Sequence, residues 1–254
     1  MTMTSLITGA SSGLGAEYAR QLAVRGYRLV LVARDAARLE EFAAELTRTG
    51  ASEVEVLSAD LSSPGGLAAV VGRLSETARP VDMLINSAGF GLPLAFEKND
   101  IEDEARHLHL HVEVPMRLMH AALQGMLARR SGTILNIASA SAVMPRSTYG
   151  AVKSWQVMFS RWAGSRYRSR GVTVTAVCPG YTHTEFHQRL GLAKGEEGIS
   201  DRLWLDAPRV VEESLRDVAR GRAVSVPSKR YKAIYTAARL APTGLMAKLA
   251  ARGR

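Results

Sequence analysis

The chain has 254 residues, 46% hydrophobic and 22% charged, an ordinary globular composition with enough apolar sequence for a sizeable core. No apolar run approaches the roughly 20 residues that a membrane span requires, and a single cysteine, Cys178, excludes an intrachain disulfide framework. The net charge of +9 sits at the C-terminal end, where no acidic residue follows Asp217 but nine basic ones do, from Arg220 to Arg254.

In chain order, Ser5–Thr8 reads as a short apolar strand ending at Gly9. Gly15 to Gly26 reads as a helix, with Tyr18, Ala19, Leu22 and Ala23 at helical spacing and a glycine suited to its end. The first apolar run is strand-length and leads straight into glycine-rich sequence, so no secretory leader is expected. With the lone cysteine, this points to a cytoplasmic protein.

Leu29–Val32 is a continuous apolar run, as in a strand buried on both faces. Ala36–Thr49 is helical, with Leu39, Phe42, Ala43 and Leu46 on one stripe. Strand Val54–Ser58, helix Gly65–Thr77 and strand Val81–Asn86 follow. One long helix is expected over Ile101–Arg130, then strand Thr133–Ala138, a helix from Tyr149 to Ser169 and strand Val172–Val177. Strands alternating with helices predict a single α/β domain over residues 1–254, built on a doubly wound parallel sheet of about seven strands with helices on both faces.

The regularity fails between Tyr181 and Asp206. Gly191, Gly195, Gly198 and the charged run Lys194–Glu197 mark an irregular segment that is expected to form a substrate lid. A helix near Pro208–Arg220 and a strand Ala223–Val226 precede a basic tail, 229–254. Pro242 and Gly244 interrupt that tail, which reads as at best two short helices. Its first reading is a solvated helix face. The alternative is contact with an anionic membrane, with Leu240, Leu245, Met246 and Leu249 as a short apolar face. Nucleic acid is not an expected partner.

Between the first strand and helix runs Thr8-Gly9-Ala10-Ser11-Ser12-Gly13-Leu14-Gly15. Glycines there allow a tight turn and bring backbone N–H groups and a helix N-terminus to a pyrophosphate, as in a Rossmann-type dinucleotide fold. The end of the second strand selects the cofactor. A carboxylate there would hold the ribose hydroxyls of NAD, and a basic residue the 2′-phosphate of NADP. Ala33 carries no carboxylate and Arg34 is basic, so NADP(H) is expected, with Ser12 adding a hydroxyl. Asp35 competes with this reading, but it stands where it could cap the next helix.

Tyr149 and Lys153 are four residues apart on a predicted helix, and Ser139 ends a predicted strand at the carboxyl edge of the sheet. Reducing a carbonyl needs a proton donor at the oxygen as hydride reaches the carbon. A nearby ammonium lowers a phenol's pKa, and a serine hydroxyl can orient the oxygen.

Together the glycine loop, Asn86-Ser87-Ala88-Gly89, Tyr149–Lys153 and Pro179-Gly180 with Thr182 and Thr184 resemble the short-chain dehydrogenase/reductase family, in order and from Leu6 to about Val226. The Phe90-Gly91 extension and the run Ile134–Ser139 resemble a bacterial subgroup of broad-specificity NADP-dependent reductases. The resemblance implies that Tyr149 is the general acid/base and that Lys153 binds the nicotinamide ribose. It implies that Ser139 holds the substrate oxygen and that Asp60 and Leu61 contact adenine. Asn86, Ala88 and Gly89 would line the adenosine side, and Pro179, Gly180, Thr182 and Thr184 the carboxamide and phosphates. It also implies a homodimer or homotetramer.

Two departures stand out. His111 occupies the position of the family's catalytic asparagine, and Ser139 stands only ten residues before Tyr149, closer than the family pattern. A shortened loop around Met144–Thr148 would absorb the second. His107 and His111, with Glu104 a turn earlier, share a face that could suit a metal. No further cysteine or histidine completes a set in sequence, and none is expected.

The leading expectation is an NADP(H)-dependent reductase of a ketone or aldehyde. The alternatives are a dehydrogenase of a lipophilic, sterol-like alcohol, with Phe90, Met144, Tyr181, Phe186 and Trp204 around its substrate, and a dinucleotide-binding regulator that has lost turnover.

Overall fold

Seven strands pair in one parallel sheet in the order β3-β2-β1-β4-β5-β6-β7. They are β1 (Thr4–Thr8), β2 (Arg28–Ala33), β3 (Glu53–Ser58), β4 (Met83–Asn86), β5 (Gly132–Ile137), β6 (Val172–Val177) and β7 (Val224–Ser225). The structure is a computed structural model that describes residues 2–188 and 200–242.

Side chains alternate across the strands and bury both faces. Leu6, Leu84, Ile134 and Val174 pack on one side against α3 (Pro64–Ser75), α5 (Val114–Ala128) and α6 (Thr148–Tyr167), meeting Val70, Leu118, Met119 and Ala163. Ile7, Ile85, Leu135 and Val177 pack on the other against α1 (Gly13–Val24), α2 (Ala36–Thr49) and α8 (Ala207–Ala219), meeting Tyr18, Leu22, Leu39 and Val211. Full burial of each such side chain contributes about 1.5–3 kcal/mol. The chain winds outward from β1 in one direction and from β4 in the other, so a crevice opens at the carboxyl ends of these two strands, where α/β sheets bind ligands.

The single helix expected over Ile101–Arg130 is interrupted. α4 (Ile101–Leu108) passes into a π-turn, His109–Glu113, before α5 begins. The physical reason is Pro115, which has no N–H, so the carbonyl of His111 four residues earlier loses its α-helical donor.

The described part of the basic tail is one helix, α9 (Lys229–Leu240), which ends before Pro242. It is not merely a solvated face, because Tyr231 and Tyr235 are buried in a third cluster with Cys178, Val157 and Val226. Leu245, Met246 and Leu249 lie outside the described residues.

Between Tyr181 and Asp206 the structure describes a bridge from Thr182 to Leu205, the short α7 (Glu185–Gln188) and a 3₁₀ turn at Asp201–Leu203. Gly191, Gly195, Gly198 and Lys194–Glu197 lie outside the described residues. Among those described, no helix is long and apolar enough to cross a membrane.

Candidate active site

The turn after β1 is shaped by contact with the strand beside it. Gly9 has φ of +66°, and a Cβ there would lie 2.9 Å from both Cα and N of Ala88. Only glycine allows that conformation and that approach. Thr8 Oγ1 accepts from the N–H groups of Ser87 and Ala88 at 3.0 and 3.1 Å, so the segment Asn86–Gly89 is pinned against the glycine loop. Ser11, Ser12, Gly13, Leu14 and Gly15 carry the chain into α1, with Ser12 at the N-cap position and no acidic residue in the first turn. A helix N-terminus of this kind, open at the crevice, suits a phosphate. A Cβ on Gly13 would meet Thr184 at 3.5 Å, so the Pro179–Thr184 segment faces the loop across the crevice.

At the end of β2, the Asp35 carboxylate accepts from Arg38 N–H at 3.0 Å and caps α2. The carboxylate is therefore engaged, and Arg34 is exposed at the carboxyl end of β2. Arg38, which the sequence reading passed over, pairs with Glu185 of α7 at 2.6 Å. Asp60 and Leu61 follow β3 on the same edge. The Asp60 carboxylate accepts from Ser62 N–H at 2.9 Å, and Leu61 is buried.

Ser139, Tyr149 and Lys153 come together at the end of β5 and the start of α6. Ser139 stands beside Tyr149 and makes its phenol easier to ionise, and Ser139 Oγ accepts from Ser141 N–H at 3.1 Å and from Ser141 Oγ at 2.8 Å. The short spacing from Ser139 to Tyr149 is absorbed by a 3₁₀ turn, Ala140–Val143, and by Ser147, whose hydroxyl caps α6 through Gly150 N–H at 3.1 Å. Pro179 is tied in through its carbonyl, which accepts from Ala140 N–H at 2.8 Å, and Thr182 Oγ1 donates to Gly180 O at 3.0 Å. Lys153 Nζ lies 5.4 Å from the centre of the Tyr149 ring and donates to Ile137 O at 2.6 Å and Gln156 Oε1 at 3.1 Å.

Around Tyr149 stand three further rings: His111 at 5.8 Å between centroids, His107 at 6.1 Å and Phe186 at 5.7 Å. His111 Nε2 donates to the Phe90 carbonyl at 2.8 Å. Phe90 flanks both histidines, whereas Tyr181 and Trp204 pack on each other.

Burial sets the charge states. It lowers His107 to about 4 and His111 well below its ordinary range, with Lys153 acting in the same direction on both, so both imidazoles are neutral. It pulls the Lys153 ammonium down to about 7 and pushes the Tyr149 phenol up, which Ser139 partly offsets. It also raises the Cys178 thiol to about 12, which suits a structural residue.

Among the described residues no three His, Cys, Asp or Glu side chains gather as a metal site. Glu104 instead accepts from Asn99 Nδ2 at 2.7 Å.

Besides Arg38, the sequence reading missed two side chains. Gln156 is buried against Lys153, and its spacing of three on the same helix was the available signal. Tyr231 of α9 accepts from Tyr181 N–H at 3.1 Å and donates to Leu203 O at 2.8 Å, bracing both ends of the irregular segment. Nothing in the sequence pointed to it.

Residues 3–194 match the family model described as short chain dehydrogenase. The bovine (Bos taurus) dehydrogenase/reductase SDR family member 7B is 32% identical over 205 residues, which cover 77% of this chain and 63% of that protein's length. A short-chain dehydrogenase from Sphingobium yanoikuyae, solved in complex with NADPH, is 35% identical with a TM-score of 0.85, covering 96% of this chain and 94% of that one. The bulky-bulky ketone specific alcohol dehydrogenase from Comamonas testosteroni is 30% identical with a TM-score of 0.80, covering 97% and 94%.

Proposed function

Since the chain belongs to the short-chain dehydrogenase family, and so is an oxidoreductase that transfers hydride with a nicotinamide dinucleotide, we propose that it is an NADP(H)-dependent reductase of a bulky, apolar ketone. The observation that carries this reading is the cluster of Ser139, Tyr149 and Lys153 at the carboxyl edge of the sheet.

The residues present fit the cofactor. Gly9 gives a close turn, the N-terminus of α1 suits a pyrophosphate, and Arg34 is exposed at the end of β2 while the neighbouring Asp35 carboxylate caps α2. A reduced nicotinamide, when bound, supplies the hydride that adds to the carbonyl carbon. Ser139 orients the carbonyl oxygen, and Tyr149 gives its phenolic proton to that oxygen as the alcohol forms. Burial keeps the phenol protonated, the state a proton donor needs. A charged Lys153 beside it stabilises the phenolate left behind. Phe186, packed against Tyr149, supplies apolar surface for the substrate, in keeping with the ketone named for the Comamonas enzyme.

We read the assembly as a homodimer through α5 and α6. Met116, Met158 and Trp162 are exposed there, and Trp155, Phe159 and Trp162 form an aromatic row along α6. Light scattering on the purified chain tests this reading, and a monomer would remove it.

Cofactor specificity is tested by titrating NADPH and NADH against the wild type and Arg34→Ala, following intrinsic fluorescence. The expected result is a preference for NADPH that collapses in the variant. Turnover of matched ketone and alcohol pairs by wild type and Tyr149→Phe tests the chemistry. Undiminished reduction by Tyr149→Phe would overturn the mechanism.

A further inference from the structure

One turn beyond Lys153, α6 carries Gln156, 3% exposed. Its Oε1 accepts from Lys153 Nζ at 3.1 Å, and its Nε2 donates at 2.8 Å to the main-chain carbonyl of His111. That carbonyl needs a donor for a local reason. In a continuous α-helix it would take the N–H of residue 115, which is proline, and the π-turn His109–Glu113 is where the helix gives way.

We propose that Gln156 is a positioning residue for hydride transfer: its amide ties the Lys153 ammonium to the carbonyl that Pro115 leaves open, and so fixes Lys153 beside Tyr149. The role holds only if Tyr149 and Lys153 are the acid–base pair put forward above.

Three features carry it. First, Lys153 has three N–H donors. Ile137 O takes one and Gln156 Oε1 a second, so the ammonium is held from two sides with one donor left for the crevice. Second, the amide has only one workable orientation, because reversing it would set donor against ammonium and oxygen against carbonyl. Third, the other end of Gln156 is itself anchored. Its main-chain carbonyl accepts from Ser160 Oγ at 2.6 Å, Ser160 Oγ accepts from Asn136 Nδ2 at 2.8 Å, and Asn136 Oδ1 accepts from Asn86 Nδ2 at 2.8 Å. The line runs from α6 across the sheet to β4, behind the glycine loop.

The space between an ammonium and a carbonyl is one that a water molecule could fill. A water both donates and accepts and exchanges its protons, whereas an amide has fixed donor and acceptor ends. The amide therefore orients Lys153 without passing its proton onward. The titratable groups around Lys153 are Tyr149 on its own helix, His107 and His111 from α4 and the π-turn, and Cys178 after β6. The two imidazoles and the thiol are neutral, so no charged neighbour among these groups offsets the burial that pulls the ammonium down, and its direct partners are the acceptors Ile137 O and Gln156 Oε1.

The test measures kcat and KM across pH for reduction of a ketone that the wild type turns over, using Gln156→Leu, Gln156→Glu and, as reference, Tyr149→Phe. Losing an acceptor leaves Lys153 less readily charged and the phenol less acidic. Gln156→Leu should lower kcat about tenfold or more, change KM little, and move the alkaline limb of the kcat profile, which follows loss of the Lys153 proton, down by about half a unit or more. Gln156→Glu, which still receives the ammonium, should keep kcat within a few-fold of wild type and melt at a lower temperature, because the His111 carbonyl loses its donor. If Gln156→Leu does not fold, Gln156→Ala carries the same comparison. A folded Leu or Ala variant with wild-type kcat and an unshifted profile would overturn the role of Gln156, whatever its melting temperature. Undiminished turnover by Tyr149→Phe would instead overturn the acid–base reading beneath it.

Discussion

Gly89→Ala probes the site at its tightest packing. The added Cβ would lie 2.4 Å from His111 Cε1 and 3.1 Å from Nε2, and His111 is 1% exposed, so its ring has nowhere to swing. The imidazole would have to tilt and give up its 2.8 Å hydrogen bond to the Phe90 carbonyl. Overpacking a core site costs about 1–3 kcal/mol, and losing one buried hydrogen bond adds about 1 kcal/mol. Together these give about 2–4 kcal/mol, a fall of about 4–16 °C in Tm for a chain of this size. Circular dichroism melts of Gly89→Ala, His111→Asn and the double variant form the assay, since asparagine leaves room for the new methyl. The double variant should be more stable than the sum of the single effects by about 1–3 kcal/mol. If Gly89→Ala melts within about 2 °C of wild type, or if the two changes are simply additive, the ring is not what the Cβ meets and the packing argument fails.

The histidines also set an acid limit. His107 holds its proton only below about 4 in the folded chain, against an ordinary 6.5, so the unfolded chain takes up protons first as pH falls. His107 alone should take about 1.4 kcal/mol per pH unit from the stability between about pH 6.5 and pH 4, in addition to what His111 takes; urea melts of His107→Phe that keep the wild-type slope would refute this. Tyr231→Phe removes the brace between Tyr181 and Leu203 and should raise KM for the ketone a few-fold with a loss of about 1–2 kcal/mol in stability. An unchanged KM would mean that α9 does not hold the segment. Cys178, buried with its thiol raised to about 12, should resist iodoacetamide at pH 8 until the chain unfolds, as mass spectrometry would report.

The sheet was readable from the sequence because its strands are short β-prone segments, a continuous apolar run at Leu29–Val32 and an alternating one at Val172–Val177, separated by helical stripes. The candidate site stood out in the sequence because its residues fall where strands end, at Gly9, Arg34, Asn86 and Ser139, and at Tyr149 and Lys153 one turn apart. The break in the long helix was not, although Pro115 was in view. Apolar spacing continues through Leu118, Met119 and Ala122, and a proline in the first turn of a helix disturbs no periodicity. Tyr231, and the far contact of Gln156, were hidden for another reason. Their partners are backbone groups 45, 50 and 28 residues away, and a main-chain carbonyl leaves no mark in a sequence.

His111 and Pro115 separate two tasks that meet at one residue. The imidazole clamps Phe90, whereas the carbonyl of the same residue faces Gln156, so the chain can carry a histidine there without altering what Lys153 is tied to. The dependence falls on Pro115 instead. Pro115→Ala returns an N–H four residues after His111, letting the helix close on that carbonyl in competition with Gln156. Alanine is a good helix former, so Tm should not fall, yet kcat should, because Lys153 loses a fixed neighbour. Melting curves and steady-state kinetics on the same preparation separate the two effects. An unchanged kcat would mean that the break in the helix shapes the fold and leaves the chemistry at Lys153 untouched.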